Sequence, residues 1–548
     1  MTPPFYWGAA TAAYQTEGAA LQYGRGPSIW DTFSLKPGNV YGNETGLIAD
    51  DSYHKFGEDL QLMKNMGLNS YRFSISWSRI YPQGYGQINQ AGIDHYNKVI
   101  DALKEADIEP FVTLYHWDLP QGLEDKYGGW LDSQIENDFR SYADTCFSAF
   151  GDRVKKWVTI NEPWSIAYQG YGTGSHAPGR CSNRKKCAKG NSATESYLAG
   201  HNLLNAHAAA AELYHSTYQP TQQGEIGIVL NLDWGEPLRA TLSDYCAAVK
   251  HNEFQLAWFA DPIFWGRYPA RMIAELGTNP ATGGRLPVFT DAQRERLIGS
   301  VDFLGLNHYS TRYYTPMKVN TVPDDTAGDL GISGWSPDQH TISSKYDASG
   351  KLIGPQADSD WLNTVPWGFF NVLMYAHNRY SLAYKVHKHG TFGYKSRLLS
   401  VDHLSARACE TTCTCDSATV SGLNSGLQHN EDLQLQLLLQ DQQQPLQQTD
   451  VAHNSSNHHN DIKNNNTNTK QHNRKLRSTT APLPSQLAIE EAPFSQITTG
   501  LLPIPIYITE NGCDAPGESE MSIEDALKDT FRYIMCVQFY QFCSVRGP

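Results

Sequence analysis

Residues 154–164 read VKKWVTINEPW. An apolar run, predicted as a strand over Val154–Ile160, closes on Asn161 and Glu162, so a carboxylate falls at the strand's C-terminal end and is followed at once by a proline and a tryptophan. Working outward, six more short apolar runs are predicted as strands: Phe5–Ala10, Ser70–Ser76, Pro110–Tyr115, Gly224–Leu230, Val301–Leu306 and Pro505–Thr509. Amphipathic helical patterns lie between them, as over Gly92–Ala106 and Gln134–Phe150. Strand–helix alternation of this kind argues for parallel βαβ units. A chain of 548 residues with 40% apolar content is long enough for one α/β (β/α)8 TIM barrel with long loops. Seven strands are counted and no eighth, so the barrel is expected to be incomplete.

Three zones follow. Residues 1–380 hold strands one to six with their helices. Residues 381–502 are dominated by Gln, Asn, His, Ser and Thr, as in NSSNHHNDIKNNNTNTKQHN, and such a segment buries too little apolar surface to offset its ordering entropy. It is expected to be a disordered insertion. Residues 503–548 resume with PIPIYITENG, the seventh strand, and a helix over Ser522–Tyr533.

Composition narrows the class. The net charge is −14, and no basic stripe points to nucleic acid. No run of 18 apolar residues predicts a membrane span. The N-terminus lacks the basic and apolar regions of a signal peptide, so the chain as written reads as cytoplasmic; a start further upstream would open a secretory or vacuolar destination. The thirteen Trp and thirty Tyr serve equally to fill a large core or to stack on sugar rings. Cys409, Cys413 and Cys415 in CETTCTC lack a second ligand cluster, so no metal is expected, and nothing implies a cofactor. The tract around His458 and His459 reads as disordered, whereas His201 and His207 lie on a helix and are expected to pack.

In a (β/α)8 barrel the C-terminal strand ends face the active site. On its own Glu162 would read as an exposed loop carboxylate. IYITENG, residues 506–512, supplies a second short strand ending in a glutamate, Glu510, with Asn511 and Gly512 forming the turn out of it. Two carboxyls at the mouth of one barrel are what glycoside hydrolysis requires: one protonates the departing oxygen while the other attacks the anomeric carbon or activates water. FYWGAATAAYQTEGA (5–19) places Gln15, able to give and accept hydrogen bonds, after a strand of small residues. TLYHWDLP (113–120) places His116 and Trp117 just past another strand, one suited to a hydroxyl and the other to a ring face. YRFSISWSRIYP (71–82) carries Arg72 inside a strand, where a charge needs a partner; that partner is either a structural carboxylate or the nucleophile.

Together these stretches, with DFLGLNHYST (302–311), resemble family 1 glycoside hydrolases of the β-glucosidase type over about residues 3–380 and 503–535. The resemblance implies retaining hydrolysis of β-glycosidic bonds by double displacement, with Glu162 as acid/base and Glu510 as nucleophile. It implies that Gln15, His116 and Asn161 hold the sugar hydroxyls, that Asn307 and Tyr309 lie near the nucleophile, and that Arg72 pairs with it. Trp164 and Trp367 would line the aglycone side, with core packing the other role open to Trp367. The substrate would be a small β-glucoside or oligosaccharide. A neighbouring negative charge should raise Glu162, and the Arg72 cation should lower Glu510; retention needs the two carboxyls about 5–5.5 Å apart. CSNRKKC (181–187) resembles a loop of plant-type members in which the two cysteines form a disulfide, so Cys181 and Cys187 either pair or, in a cytoplasmic chain, stay reduced.

The chain departs from the family pattern in the insertion and again after DALKDTFRY, where a Trp-rich eighth-strand region is expected. A barrel open between strands one and seven predicts a poorly stable, weakly active chain. The alternatives are a 6-phospho-β-glucosidase, whose phosphate-reading residues would lie in the absent region, and an inactive sugar-binding pseudoenzyme. A thioglucosidase is disfavoured because Glu162 is present.

Overall fold

The computed structural model describes residues 5–317, 334–389, 504–512 and 514. Ten strands are found there: β1 (Gly8–Ala10), β2 (Ser70–Ser74), β3 (Glu109–Tyr115), β4 (Lys156–Asn161), β5 (Glu225–Asn231), β6 (Trp234–Pro237), β7 (Phe303–Asn307), β8 (Thr311–Pro316), β9 (Thr341–Ser344) and β10 (Ile506–Glu510). Seven of them, in the order β1-β2-β3-β4-β5-β7-β10, form one sheet in which every pairing is parallel. They correspond to the seven expected strands, with ends shifted by a few residues. The expected helices appear as Gln90–Glu105 and Gln134–Phe150.

The sheet is rolled. Arg72 on β2 donates to Glu510 at the end of β10, on the far edge of the sheet, and to Asn161 on β4. One side chain reaches all three strands only if the sheet curves round on itself. At the opposite end Phe111 lies edge-on to both Tyr6 and Tyr507, with ring centroids 5.4 Å apart in each case. This is the (β/α)8 architecture, and strands buried on both faces account for the near-continuous apolar runs that marked them in sequence. Among the described residues β1 and β10 are paired on one side only; β1 is exposed along its length and β10 is half-exposed.

Two apolar layers result. Val158, Val229 and Phe303, with Tyr507 against them, fill the barrel interior. The larger core lies between strands and helices, and includes Trp157, Ile160, Leu203 and Leu304. The helix Pro366–His389 closes this layer. It continues past residue 380: Ala383 is buried and the Tyr384 hydroxyl donates to the Asp302 carbonyl at 2.8 Å. The remainder of the expected insertion, the Ser522–Tyr533 helix, Cys409, Cys413, Cys415, His458 and His459 lie outside the described residues. A second sheet, β6-β8-β9, was not foreseen; β6 and β8 follow the ends of β5 and β7 within a few residues and build the rim above them. Among the described residues no helix is long and apolar enough to cross a membrane.

The turn that carries Gln15 is anchored from beneath. Arg79, with no exposed surface, donates to Glu17 at 3.0 Å and to the Gly18 carbonyl at 3.2 Å, while the Tyr96 hydroxyl donates to the other Glu17 oxygen at 2.7 Å. Removing one member of a buried ion pair strands the other charge. Glu17→Ala is therefore expected to lower stability by about 3–5 kcal/mol, read as a fall in the denaturant midpoint at unchanged slope.

Candidate active site

Both glutamates sit where a strand's register breaks. In β4 the pairing with β5 shifts between Val158 and Asn161. Val158 faces the interior, but Thr159 bonds His207 on the helix Glu195–Leu213 and Ile160 joins the outer core, so two successive residues face outward. That extra outward residue turns Asn161 into the barrel. Glu162 then takes a left-handed conformation at φ +50° and its N–H donates to the Val229 carbonyl at 2.9 Å. In β10 the register with β7 shifts between Ile508 and Glu510. Asn511 donates to the His308 carbonyl at 2.6 Å and fixes the turn beyond.

The side chains converge. Glu510 accepts from Arg72 Nη1 on one oxygen and from the Tyr309 hydroxyl on the other, both at 2.6 Å. The other two Arg72 nitrogens donate to Asn161 Oδ1 at 2.6 Å and Thr113 Oγ1 at 3.1 Å. Glu162 accepts from Asn307 Nδ2 at 2.6 Å and from Ser165 Oγ at 2.7 Å. Asn307 thus bonds Glu162 rather than Glu510, although Thr509, next to Glu510, donates to its carbonyl oxygen at 2.7 Å. Asn161 Nδ2 lies 3.1 Å from His116 Nε2, and His116 Nδ1 is buried with no hydrogen-bond partner among the described residues. The Trp117 indole donates to the Asn161 carbonyl at 3.0 Å, so its ring forms a fixed wall. Gln15 is exposed at the turn. Trp164 is half-buried against Tyr168 and Trp335, and Trp367 is half-buried at the start of its helix.

Electrostatics separate the two carboxyls. Burial, and then the Glu510 charge, push Glu162 up to about 7. Burial alone would raise Glu510 too, but the Arg72 guanidinium and the Tyr309 hydrogen bond hold it below the ordinary value. Burial pushes His116 down to about 4, so the ring is neutral at pH 7 and the lasting positive charge is that of Arg72. At neutral pH one carboxyl is available as an acid while its neighbour is ionised.

The sequence profile of Glycosyl hydrolase family 1 matches residues 2–392. The chain belongs to glycosyl hydrolase family 1. It is similar to Beta-glucosidase 6 of Oryza sativa subsp. japonica, 50% identical over 383 residues that cover 69% of this chain and 70% of the relative. Beta-glucosidase 40 of Arabidopsis thaliana is 47% identical over 381 residues, 69% and 72% of the two chains. Among solved structures, a rice Os3BGlu6 β-glucosidase superimposes with TM-score 0.72 at 38% identity, covering 99% of this chain and 86% of that one, and a mutant of it holds Glc in a covalent complex. A family 1 β-glucosidase of the fungus Humicola insolens in complex with glucose gives TM-score 0.71 at 34% identity, covering 99% and 85%. The chain is a glycoside hydrolase of this family, and relatives of this kind weigh against the 6-phospho alternative.

Several residues around the two carboxyls escaped the sequence reading. Ser165 meets Glu162 three residues on, across the turn Glu162–Ser165 that follows the left-handed residue and leads into a π-helical stretch over Ser165–Gly170. Thr509 looked like a strand residue only. Trp361 is 51% exposed and lies edge-on to Tyr309 at 6.0 Å; it sits in an irregular loop, where periodicity offers no signal. Cys181 and Cys187 form a disulfide. His207 bridges Thr159 and Ser300 at 2.7 and 3.0 Å, and His201 stacks on Phe289.

Arg72 supplies the charge that holds Glu510 ionised. Arg72→Met is expected to move the Glu510 titration upward into or above the ordinary carboxylate range, and to leave the carboxyl ionised only at correspondingly higher pH. Carboxyl-resolved NMR titration of the variant against wild type checks this.

Proposed function

We propose that this chain hydrolyses β-glucosides with retention, Glu510 acting as nucleophile and Glu162 as acid/base. The observation that carries the reading is the opposed electrostatics of two carboxyls in one buried hydrogen-bond network. Ionised Glu510 attacks the anomeric carbon while Glu162 gives its proton to the departing glycosidic oxygen. Water then attacks the glycosyl-enzyme, Glu162 takes its proton, and the sugar leaves with its original anomeric configuration. Tyr309 and Arg72 orient Glu510. Gln15, His116 and Asn161 hold the sugar hydroxyls, the free Nδ1 of His116 offering one such contact. Asn307 supports Glu162, Trp117 walls the sugar, and Trp164, Trp361 and Trp367 provide the aromatic surface for the aglycone. The relatives named above are β-glucosidases, which supports glucose as the sugar. The Cys181–Cys187 disulfide supports an oxidising compartment over the cytoplasm.

A 2-deoxy-2-fluoro-β-glucosyl fluoride should add one fluoroglucosyl group to the protein, and peptide mapping should place it on Glu510. Glu162→Ala should lower kcat/KM about 10²–10⁴-fold for poor leaving groups and recover turnover with azide. Sugar binding without any trapped adduct would favour the pseudoenzyme instead.

A further inference from the structure

The two oxygens of Glu162 are served by donors of different kinds. Oε1 accepts from Asn307 Nδ2, and the Asn307 amide cannot turn over, because the same nitrogen donates to Asn161 Oδ1 at 3.3 Å, an oxygen that Arg72 fixes as an acceptor. An amide nitrogen only donates, so Oε1 remains an acceptor in both protonation states and the proton must reside on Oε2. Oε2 accepts from the Ser165 hydroxyl at 2.7 Å. Ser165 is buried, and its own oxygen accepts from Asn231 Nδ2 at 3.2 Å. Of these two neighbours only Glu162 Oε2 can accept, so the hydroxyl hydrogen is directed at Glu162.

We propose that Ser165, oriented by Asn231, is a positioning residue that tunes the acid/base: it selectively stabilises the ionised Glu162 and so favours the carboxylate needed to activate water in the second half of the reaction. A hydroxyl donating to a carboxylate makes a charge-assisted bond, which weakens once Oε2 carries a proton. The inference rests on the acid/base reading of Glu162. Other groups face the same carboxyl: Glu510 from β10, Asp233 after β5 and Tyr309 after β7, while Arg72 on β2 reaches it only through Asn161 and then Asn307. Glu510 and Asp233 push Glu162 upward. Ser165 and Asn307 work against them, and of these two only Ser165 touches the oxygen that gains and loses the proton.

The test reads Glu162 directly, by infrared titration of the carboxyl band that disappears in Glu162→Gln. Ser165→Ala should raise its midpoint by about half to one pH unit, and Ser165→Thr, which keeps the hydroxyl, should restore it. Asn231→Asp, whose carboxylate would draw the hydroxyl away from Glu162, should also raise it. On an aryl glucoside limited by its second step, Ser165→Ala should lower kcat and KM together and move the alkaline limb of kcat/KM upward. An unchanged midpoint in a folded Ser165→Ala protein would overturn this inference alone. Full turnover by Glu162→Gln would instead overturn the acid/base reading itself.

Discussion

One buried guanidinium ties the barrel together. Arg72 stands on β2 and binds Thr113 on β3, Asn161 on β4 and Glu510 on β10. A charge in that position is tolerated only because each of its three nitrogens finds an acceptor and one acceptor carries the opposite charge. The same contacts set the chemistry. Glu510 is kept ionised by the cation, its charge then raises Glu162, and Asn161 is fixed with its amide nitrogen toward His116. Removing the cation would disturb both carboxyls and the Asn161–His116 contact together.

Much of this was legible in sequence, for physical reasons. Inner strands of a parallel barrel are buried on both faces, so VKKWVTIN stands out as an apolar run; IYIT reads the same way although β10 is half-exposed at the sheet edge, and the glutamates that end both runs mark the mouth. Arg72 announced itself because a charge within such a run needs a partner. What sequence did not show depends on local backbone irregularity. Ser165 reaches Glu162 across the turn that follows a left-handed residue, Thr509 bonds the amide oxygen of Asn307, and the β6-β8-β9 sheet is built from short segments that read as loops. Asn307 does stand opposite Glu510 in the β7–β10 register, while its amide nitrogen bonds Glu162, a choice made by side-chain direction that the sequence does not show.

The rim is braced onto the barrel. The disulfide between Cys181 and Cys187 closes a loop whose neighbour, His176, lies edge-on to Trp117 and Trp30. Trp117 in turn holds the Asn161 carbonyl. Cleft walls and catalytic floor therefore share a continuous set of ring and hydrogen-bond contacts, while Glu17, Arg79 and Tyr96 secure the opposite lip.

The left-handed backbone at Glu162 has a consequence for how such a chain can change over time. A side-chain-bearing residue at φ +50° carries strain of about 1–3 kcal/mol that glycine would not. Replacement by glycine would therefore relax the backbone at the moment it disables the reaction, whereas any other loss of the carboxyl would keep the strain. At this one position the change that eases the fold most is also one that silences it.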